Sequence, residues 1–501
     1  MILSRVKNQE AIAVSAIPTL SYEAFGETVS ALLTDPSRRC VCYHGVPQDG
    51  GLQFFCGIAD DQAGDITLLS YRLPAEVLLL PSLTPRHQAL HVYEREIHEN
   101  HGVAFDGHPW QKAVRYPHDR ADQTHLMDDY PFYTITGAEL HEVGVGPIHA
   151  GVIEPGHFRF VCNGEMVLHL EIQLGYQHRG VEALMLNRRS LLQRTVLAES
   201  IAGDTAIGHT YAFVAVMEAL SDAKASLEDE VGRAVALELE RIGIHTGDLS
   251  ALCTDVAYQL GAAALGALRT PIINAMQSWC GNRFGKGLIR FGGHPFPLTP
   301  PVGQQLLTVL EDYEARFVET AEKMFSIPSV LQRFEKTGVV TREQALLLGA
   351  VGMTARTSGV PRDARTTHPI GVYASLGHEP ITLSTGDVYA RALLRRQEIV
   401  QSLHLIRRLI AMAPSEPSAP HPTPVVRLRP SHLCVSLVEG WRGEICHVAL
   451  TDDAGELLHY KINDPSLHNW FALALAVRNN EISDFPVCNK SFNLSYCGHD
   501  L

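Results

Sequence analysis

Two histidines on a turn-rich stretch are the first residues whose type and spacing could support chemistry. His149 closes the run Gly146-Pro-Ile-His149, and His157 follows in Glu154-Pro-Gly-His157. Such a loop can bring both imidazoles to one cavity wall, where either could exchange a proton near neutral pH. The alternative is two surface histidines with ordinary hydrogen bonds. Taken alone, the residues favour that alternative.

A second candidate lies at the start of a predicted helix. His178 and Glu182 are four residues apart, a spacing that places both on one helix face and allows an ion pair or a proton relay. The other interpretation is a structural cap with a surface pair, and it is the better one for Arg179. For Glu182, which precedes the apolar Ala183-Leu184, a buried polar role is equally compatible with the sequence.

Arginine is concentrated in the stretch from Thr354 to Arg365. Arg356, Arg362 and Arg365 flank a Gly-Val-Pro turn. Guanidinium groups pair with buried carboxylates and also with polar edges of cofactors. The residues by themselves favour an internal salt-bridge loop.

Several classes of function are disfavoured by composition. The formal charge of −14 argues against a general nucleic-acid binder, which needs a basic surface. The ten cysteines include no C-x-x-C pair, and neither G-x-G-x-x-G nor G-x-x-x-x-G-K-[ST] occurs. Cys40 and Cys42 form a C-x-C pair that we expect on one side of a strand. No apolar run reaches the length of a transmembrane helix, and we expect no signal peptide and a cytoplasmic location.

The elements that must position these residues fall into two parts. Residues 1–117 combine strands near 39–43, 52–58 and 66–72 with a helix at 22–33, which predicts a small α/β domain. A polar linker at 118–142 precedes a hairpin around Asn163-Gly164. Apolar periodicity then predicts long helices, at 184–198, 206–220, 227–242, 256–267, 304–324 and 388–413. A proline-rich loop at 412–424 and two strands follow, so the predicted class is α+β.

Read together, the motifs resemble a known family. The runs are similar to those of the 49-kDa subunit of respiratory complex I and of the large subunit of group 4 nickel–iron hydrogenases, the hydrogenase-4 and formate hydrogenlyase type. The matching runs are Gly146-Pro-Ile-His149, His157-Phe-Arg159, Gly175-Tyr-Gln-His178-Arg-Gly-Val-Glu182, His245-Thr-Gly-Asp248, Ala355-Arg-Thr-Ser-Gly-Val360 and Glu439-Gly-Trp-Arg-Gly443. The resemblance covers about residues 143–501 and implies a mainly helical domain with small antiparallel sheets. The run Tyr93-Glu94-Arg-Glu96 resembles the 30-kDa complex I subunit, fused in front.

The resemblance fails at the nickel ligands. Hydrogenases of this family hold nickel with two C-x-x-C pairs, whose thiolates are anionic, polarisable ligands. The matching positions here are Ala202, Thr205, Ser495 and Gly498, and Cys497 lies out of register. We therefore expect no nickel–iron centre and no cofactor bound firmly by this chain. The complex I subunit also lacks these thiolates and uses the vacated cavity for quinone.

The resemblance also implies roles for single residues. A loop histidine that contacts the quinone maps to His157, our first choice, or to His149, and the aspartate that pairs with it maps to Asp248. The quinone-contacting tyrosine of complex I maps to Phe213, so that contact is in doubt. Residues that could make the emptied cavity polar or bind the carrier are Asp204, His209, Glu182 and Arg356. The alternative is that Asp204 and His209 simply fill a dead site.

The function implied is that of one subunit in a membrane-associated oxidoreductase complex. A neighbouring small subunit would carry an iron–sulfur cluster, and membrane-embedded partners would translocate ions. The chain would lie on the inner face of the cell membrane through this complex and would reduce a quinone-like carrier. The alternative is a catalytically silent subunit that retained only its interfaces.

Overall fold

The computed structural model describes residues 3–149, 153–188, 190–293, 295–415 and 426–501. Most of the predicted proline-rich loop at 412–424 therefore lies outside the described residues. Within the described ranges, none of the helices combines the length and the apolar content that a membrane crossing requires.

The N-terminal part is built on a mixed sheet covered by two helices. Its strands are β1 Ser4–Val6, β2 Ile12–Ala13, β3 Thr19–Leu20, β4 Arg38–Gln48, β5 Gly51–Asp60, β6 Asp65–Pro74, β7 Leu79–Pro81 and β8 Ala104–Asp106, and its helices are α1 Tyr22–Leu33 and α2 His91–His101. The sheet has the order β1-β6-β5-β4, and β3 pairs in parallel with β6. Phe25 and Val29 of α1 pack against the apolar face of this sheet. The three predicted strands and the predicted helix are confirmed.

The second part is a helical bundle edged by small sheets. The first sheet contains β9 Leu140–Val145, β10 His157–Asn163 and β11 Met166–Gln173, and β10 and β11 form the hairpin predicted around Asn163-Gly164. The helices are α3 Val181–Asn187, α4 Leu191–Ala198, α5 Ala206–Ser221, α6 Leu227–Asp255, α7 Gln259–Cys280, α8 Pro300–Met324, α9 Pro328–Phe334, α10 Arg342–Leu347, α11 Gly352–Thr357, α12 Ala364–Thr367, α13 Tyr373–Leu376 and α14 Val388–Met412. The α+β class is thereby confirmed.

The chain then returns to the bundle. It forms β12 His432–Glu439, β13 Glu444–Thr451, β14 Leu457–Asn463, α15 Pro465–Ala476, α16 Phe485–Phe492 and α17 Tyr496–Asp500. The antiparallel order of this sheet is β14-β13-β12-β2, so Ile12–Ala13 from the N-terminal part completes it. One face of the sheet packs on α5 and the bundle core, which places the β12–β13 turn beside the start of α5.

Two local predictions are wrong. The helix predicted at 184–198 is two helices, because α3 ends at Asn187 and the Ser190 side chain accepts the Gln193 N–H at the start of α4. Cys40 and Cys42 do not share a face. A β-bulge between them turns Cys40 toward the core under α1 and Cys42 toward the opposite apolar cluster.

Buried ion pairs join the two parts. The Arg39 guanidinium binds both Asp61 and Glu444, and Lys461 Nζ lies 2.5 Å from Glu96 Oε1. Arg115 Nε donates to the His499 carbonyl at 2.6 Å. Because these charged side chains are buried, separating the two parts would break the contacts that compensate their charges. The domain boundaries at 117/118 and 142/143 stay a prediction.

Candidate active site

Two segments far apart in sequence meet at the positions that match the thiolates of hydrogenases. Ala202 and Thr205 lie in the turn between α4 and α5, and Ser495 and Gly498 lie at the start of α17; all four are buried. Arg179 ties the segments together, because its Nη2 donates to the carbonyls of both Ile201 and Cys497 at 2.9 Å.

Arg442 lies against these segments, in the turn between β12 and β13. Its Nη1 and Nη2 each donate to Asp204 at 2.6 Å, Nη1 also reaches Thr205 Oγ1 at 3.0 Å, and Nε donates to the Asn493 carbonyl. Trp441 supports the guanidinium, with 4.0 Å from Arg442 Cζ to the ring centroid. Burial lowers the pKa of Arg442, but Asp204 outweighs burial and leaves the pKa above its ordinary value. We call Asp204, Thr205, Arg442, Asn493 and Asp248 the Arg442 cluster.

A second polar group fills the space beside Gly498. Asp464 Oδ2 accepts from His209 Nε2 at 3.0 Å, and a Cβ built on Gly498 would lie 2.6 Å from the same oxygen. His209 Nδ1 is 3.1 Å from His447 Nε2, whose Nδ1 is 2.7 Å from Tyr460 Oη. Burial raises the pKa of Asp464, yet the His209 hydrogen bond prevails and lowers it to about 2. The carboxylate is therefore ionised at neutral pH.

Asp248 belongs to the Arg442 cluster, but its predicted pairing with a loop histidine is wrong. Its Oδ2 accepts from Arg395 Nε at 3.0 Å, and its Oδ1 accepts from Asn493 Nδ2 at 2.7 Å. Burial pushes the Asp248 pKa upward, but Arg395 outweighs burial and keeps the pKa below its ordinary value. The carboxylate points along α6 to α14 because Arg395, a fully buried cation, requires a counterion there.

His149 lies between β9 and β10, and His157 is the first residue of β10. His149 Nε2 donates to the Gly156 carbonyl at 2.9 Å, and His157 Nδ1 donates to the Gly146 carbonyl at 3.0 Å. Each imidazole thus uses one nitrogen to hold the backbone of this stretch. The loop reaches the vacated segments, since Gly156 packs on the Tyr496 ring.

Glu182 is not part of the Arg442 cluster. α3 begins at Val181, so His178 lies before the helix and the predicted common face is wrong. Glu182 Oε1 accepts from Lys461 Nζ and from the Ile462 N–H, both at 2.9 Å, and His178 Nδ1 donates to the Asp500 carbonyl. Burial raises the pKa of Glu182, but Lys461 leaves it below its ordinary value.

Arg356 is part of a buried salt-bridge network, as the residues of its loop suggested. Its Nη2 donates to Glu398 Oε1 at 2.8 Å and its Nη1 to Glu439 Oε1 at 2.6 Å. Glu398 also accepts from His245 Nε2 at 2.9 Å. All the polar atoms of the Arg356 side chain are engaged inside the protein, which argues for a role in holding the β12–β13 turn rather than in binding a cofactor.

Sequence reasoning missed the residue at the centre of the cluster. Arg442 lies in the run Glu439-Gly-Trp-Arg-Gly443, which carried the resemblance without being given a role. Asp464 and Asn493 were also missed, because their partners His209 and Asp248 are more than two hundred residues away in the chain. Among the described residues, no group of three or more His, Cys, Asp or Glu side chains could hold a metal ion.

Comparison with known proteins extends over both parts. The profile of the family "Respiratory-chain NADH dehydrogenase, 30 Kd subunit" matches residues 22–134, and that of "Respiratory-chain NADH dehydrogenase, 49 Kd subunit" matches residues 262–428.

Three relatives are similar to this protein along most of the chain. Hydrogenase-4 component G of Escherichia coli (strain K12) is 25% identical over 83% of this chain and 75% of its own length. Formate hydrogenlyase subunit 5 of the same organism is 26% identical over 83% of this chain and 76% of its length. The C/D subunit of the NADH-quinone oxidoreductase of Bacteroides thetaiotaomicron is 27% identical over 77% of this chain and 78% of its length. Each part of the chain thus matches one of two complex I subunit families, and the chain as a whole is similar to subunits of hydrogenase-like and complex I-like oxidoreductases.

Proposed function

We propose that the chain is a subunit of a membrane-associated oxidoreductase complex and that it reduces a quinone-like carrier in a nickel-free cavity. Electrons come from an iron–sulfur cluster in an adjacent small subunit, and membrane-embedded partners couple the reaction to ion translocation. The subunit lies on the inner face of the membrane through these partners. The names of the relatives support this proposal, because each is a subunit or component of a hydrogenase, a formate hydrogenlyase or a quinone oxidoreductase.

The proposal that the cavity holds no nickel rests on the side chains at the four vacated positions. Ala202 and Gly498 offer no ligand atom, Thr205 Oγ1 is bound to Arg442, and Ser495 Oγ accepts the Gly498 N–H at 2.9 Å. Neutral hydroxyls are poor substitutes for thiolates toward soft transition metals. These residues do not fit a thiolate-bound nickel centre.

The remaining polar groups suit a carrier that takes up electrons and protons. Reduction of a quinone to a quinol adds two electrons, from the partner's cluster, and two protons. His149 and His157 lie beside the vacated segments and act as the proton donors. Arg442 stabilises the negative charge that develops on a carbonyl oxygen before it is protonated.

The second candidate is a catalytically silent coupling subunit. Two carboxylates favour a silent subunit, because they occupy space that a bound molecule would need. Asp464 lies beside Gly498, and Asp204 covers the Arg442 guanidinium. In that case the same side chains only fill and hydrogen-bond the vacated site.

The test uses the assembled complex and a short-chain water-soluble quinone. We expect His157→Gln to lower the quinone-dependent rate strongly while the subunit stays in the complex. His404→Gln is the matched control, since the His404 side chain is 64% exposed on α14. A rate unchanged in His157→Gln and in His149→Gln would favour the silent subunit.

A further inference from the structure

The Asp204–Arg442 pair is unequal in exposure. The Arg442 side chain is 4% exposed, whereas that of Asp204 is 34% exposed. Asp204 is therefore the outer member of the pair and covers the two terminal nitrogens of the guanidinium. A planar guanidinium presents its donors in a fork that matches two oxygens of one ligand, and Asp204 fills this fork with its own carboxylate.

The guanidinium has other supports that do not depend on Asp204. Arg442 Nε donates to the Asn493 carbonyl, Nη1 reaches Thr205 Oγ1 at 3.0 Å, and the Trp441 ring lies against its face. These contacts hold Arg442 in place when the carboxylate moves away. The N–H donors of Nη1 and Nη2 that bind Asp204 would then lose this acceptor.

Asp204 is placed where it can move. It lies in the turn between α4 and α5, directly after Gly203, around which a side chain would meet no atom within 4 Å. Its side chain also accepts a hydrogen bond from Thr205 Oγ1 at 3.2 Å. Moving it into solvent restores water to a carboxylate that is already 34% exposed, so the cost of the movement is the loss of its hydrogen bonds to Arg442 and Thr205.

From this geometry we propose that Asp204 is an internal stand-in for the ligand, and that an incoming molecule binds Arg442 by displacing the Asp204 carboxylate. The fork selects ligands with oxygen acceptors, either a carboxylate or a quinone carbonyl. The first part of the proposal concerns the Arg442 site itself. The second part, that the displacing molecule is the quinone, rests on the proposed function.

Chemical rescue with acetate tests the site without any redox assay. In the full chain, Asp204→Ala removes the stand-in, and acetate should raise its melting temperature in a saturable manner relative to chloride at equal ionic strength. Wild type should not respond. Asp222→Ala is the matched control, because Asp222 pairs with Arg429 at an exposed position, with the Asp222 side chain 65% exposed. Adding Arg442→Met to Asp204→Ala should abolish the response.

No response of Asp204→Ala, or an equal response of Asp222→Ala, would overturn the proposal. The quinone is tested separately in the assembled complex, where Asp204→Ala should lower the KM for a short-chain quinone several-fold without a matching loss of kcat. If acetate raises the melting temperature of Asp204→Ala but the KM for quinone is unchanged, Arg442 is a ligand site and the quinone is not its ligand. If wild type reduces quinone at a normal rate but acetate does not stabilise Asp204→Ala, the proposed function stands and the proposal that a ligand displaces Asp204 is wrong.

Discussion

The carboxylate of Asp464 stands where a side chain on Gly498 would begin, with Oδ2 2.6 Å from the ideal Cβ position. Asp464 is held there by His209 Nε2 at 3.0 Å and by the Ser466 N–H at 2.8 Å. A buried ion-pairing group therefore lies directly beside Gly498, one of the four positions that the resemblance matches to thiolates.

Gly498→Ala should destabilise the protein by about 1–3 kcal/mol, because the new methyl group forces Asp464 away from His209. The measurement is the free energy of unfolding from denaturant titration. Gly203→Ala, in the facing segment with open space around it, should change this free energy much less. Equal effects of the two substitutions would contradict the packing described for Gly498.

Asp248→Leu should lower the free energy of unfolding by about 3–5 kcal/mol, because it leaves the buried Arg395 without its counterion. The double variant Asp248→Leu with Arg395→Met should recover much of this loss, since it removes both charges. A double-mutant cycle from denaturant unfolding measures the coupling. A loss in the double variant equal to the sum of the single losses would show that the pair is not coupled.

The regular elements could be predicted because they depend on local patterns. The apolar spacing predicts that the helix from Leu227 ends at Ile242, but α6 continues to Asp255, since its apolar face packs against two neighbouring helices. The bulge at Cys40 was not predictable, because an extra residue in a strand is set by its partner strand. The pairing of Ile12–Ala13 with β12 joins residues more than four hundred positions apart and leaves no local signal.

The contacts of the candidate residues could not be predicted from the sequence. Asp204 binds Arg442, His209 binds Asp464 and Asp248 binds Asn493, while the roles that the resemblance implies for them stay a prediction. Their partners Arg442, Asp464 and Arg395 were not assigned, because ion pairs between distant elements depend on packing that no spacing in the sequence reports. Glu182 was assigned to the cavity, although its carboxylate binds Lys461.

Glu240 should make stability depend on pH. Burial raises its pKa from 4.5 to about 8, although the N–H groups of Ile207 and Gly208 act in the opposite direction. Because the folded protein holds this proton more tightly than the unfolded chain, the group favours folding fully below about pH 4.5. That contribution is lost as the pH rises toward 8.

Glu240→Gln should therefore become more stable relative to wild type as the pH rises, by about 1.4 kcal/mol for each unit of pKa shift removed. The measurement is the difference in unfolding free energy between pH 5 and pH 9, approximate limits that bracket the titration. Glu311→Gln, on an exposed face of α8, serves as the control. A difference that stays constant with pH would contradict a raised pKa at Glu240.

The central claim is that the vacated positions no longer build a hydrogenase centre. The most direct measurement is elemental analysis of the purified, assembled complex, combined with assays of dihydrogen evolution and quinone reduction on the same sample. We predict no nickel in stoichiometric amount with this subunit, no dihydrogen evolution, and quinone reduction that depends on His157. Stoichiometric nickel bound by this chain, or dihydrogen evolved by the complex, would contradict the account.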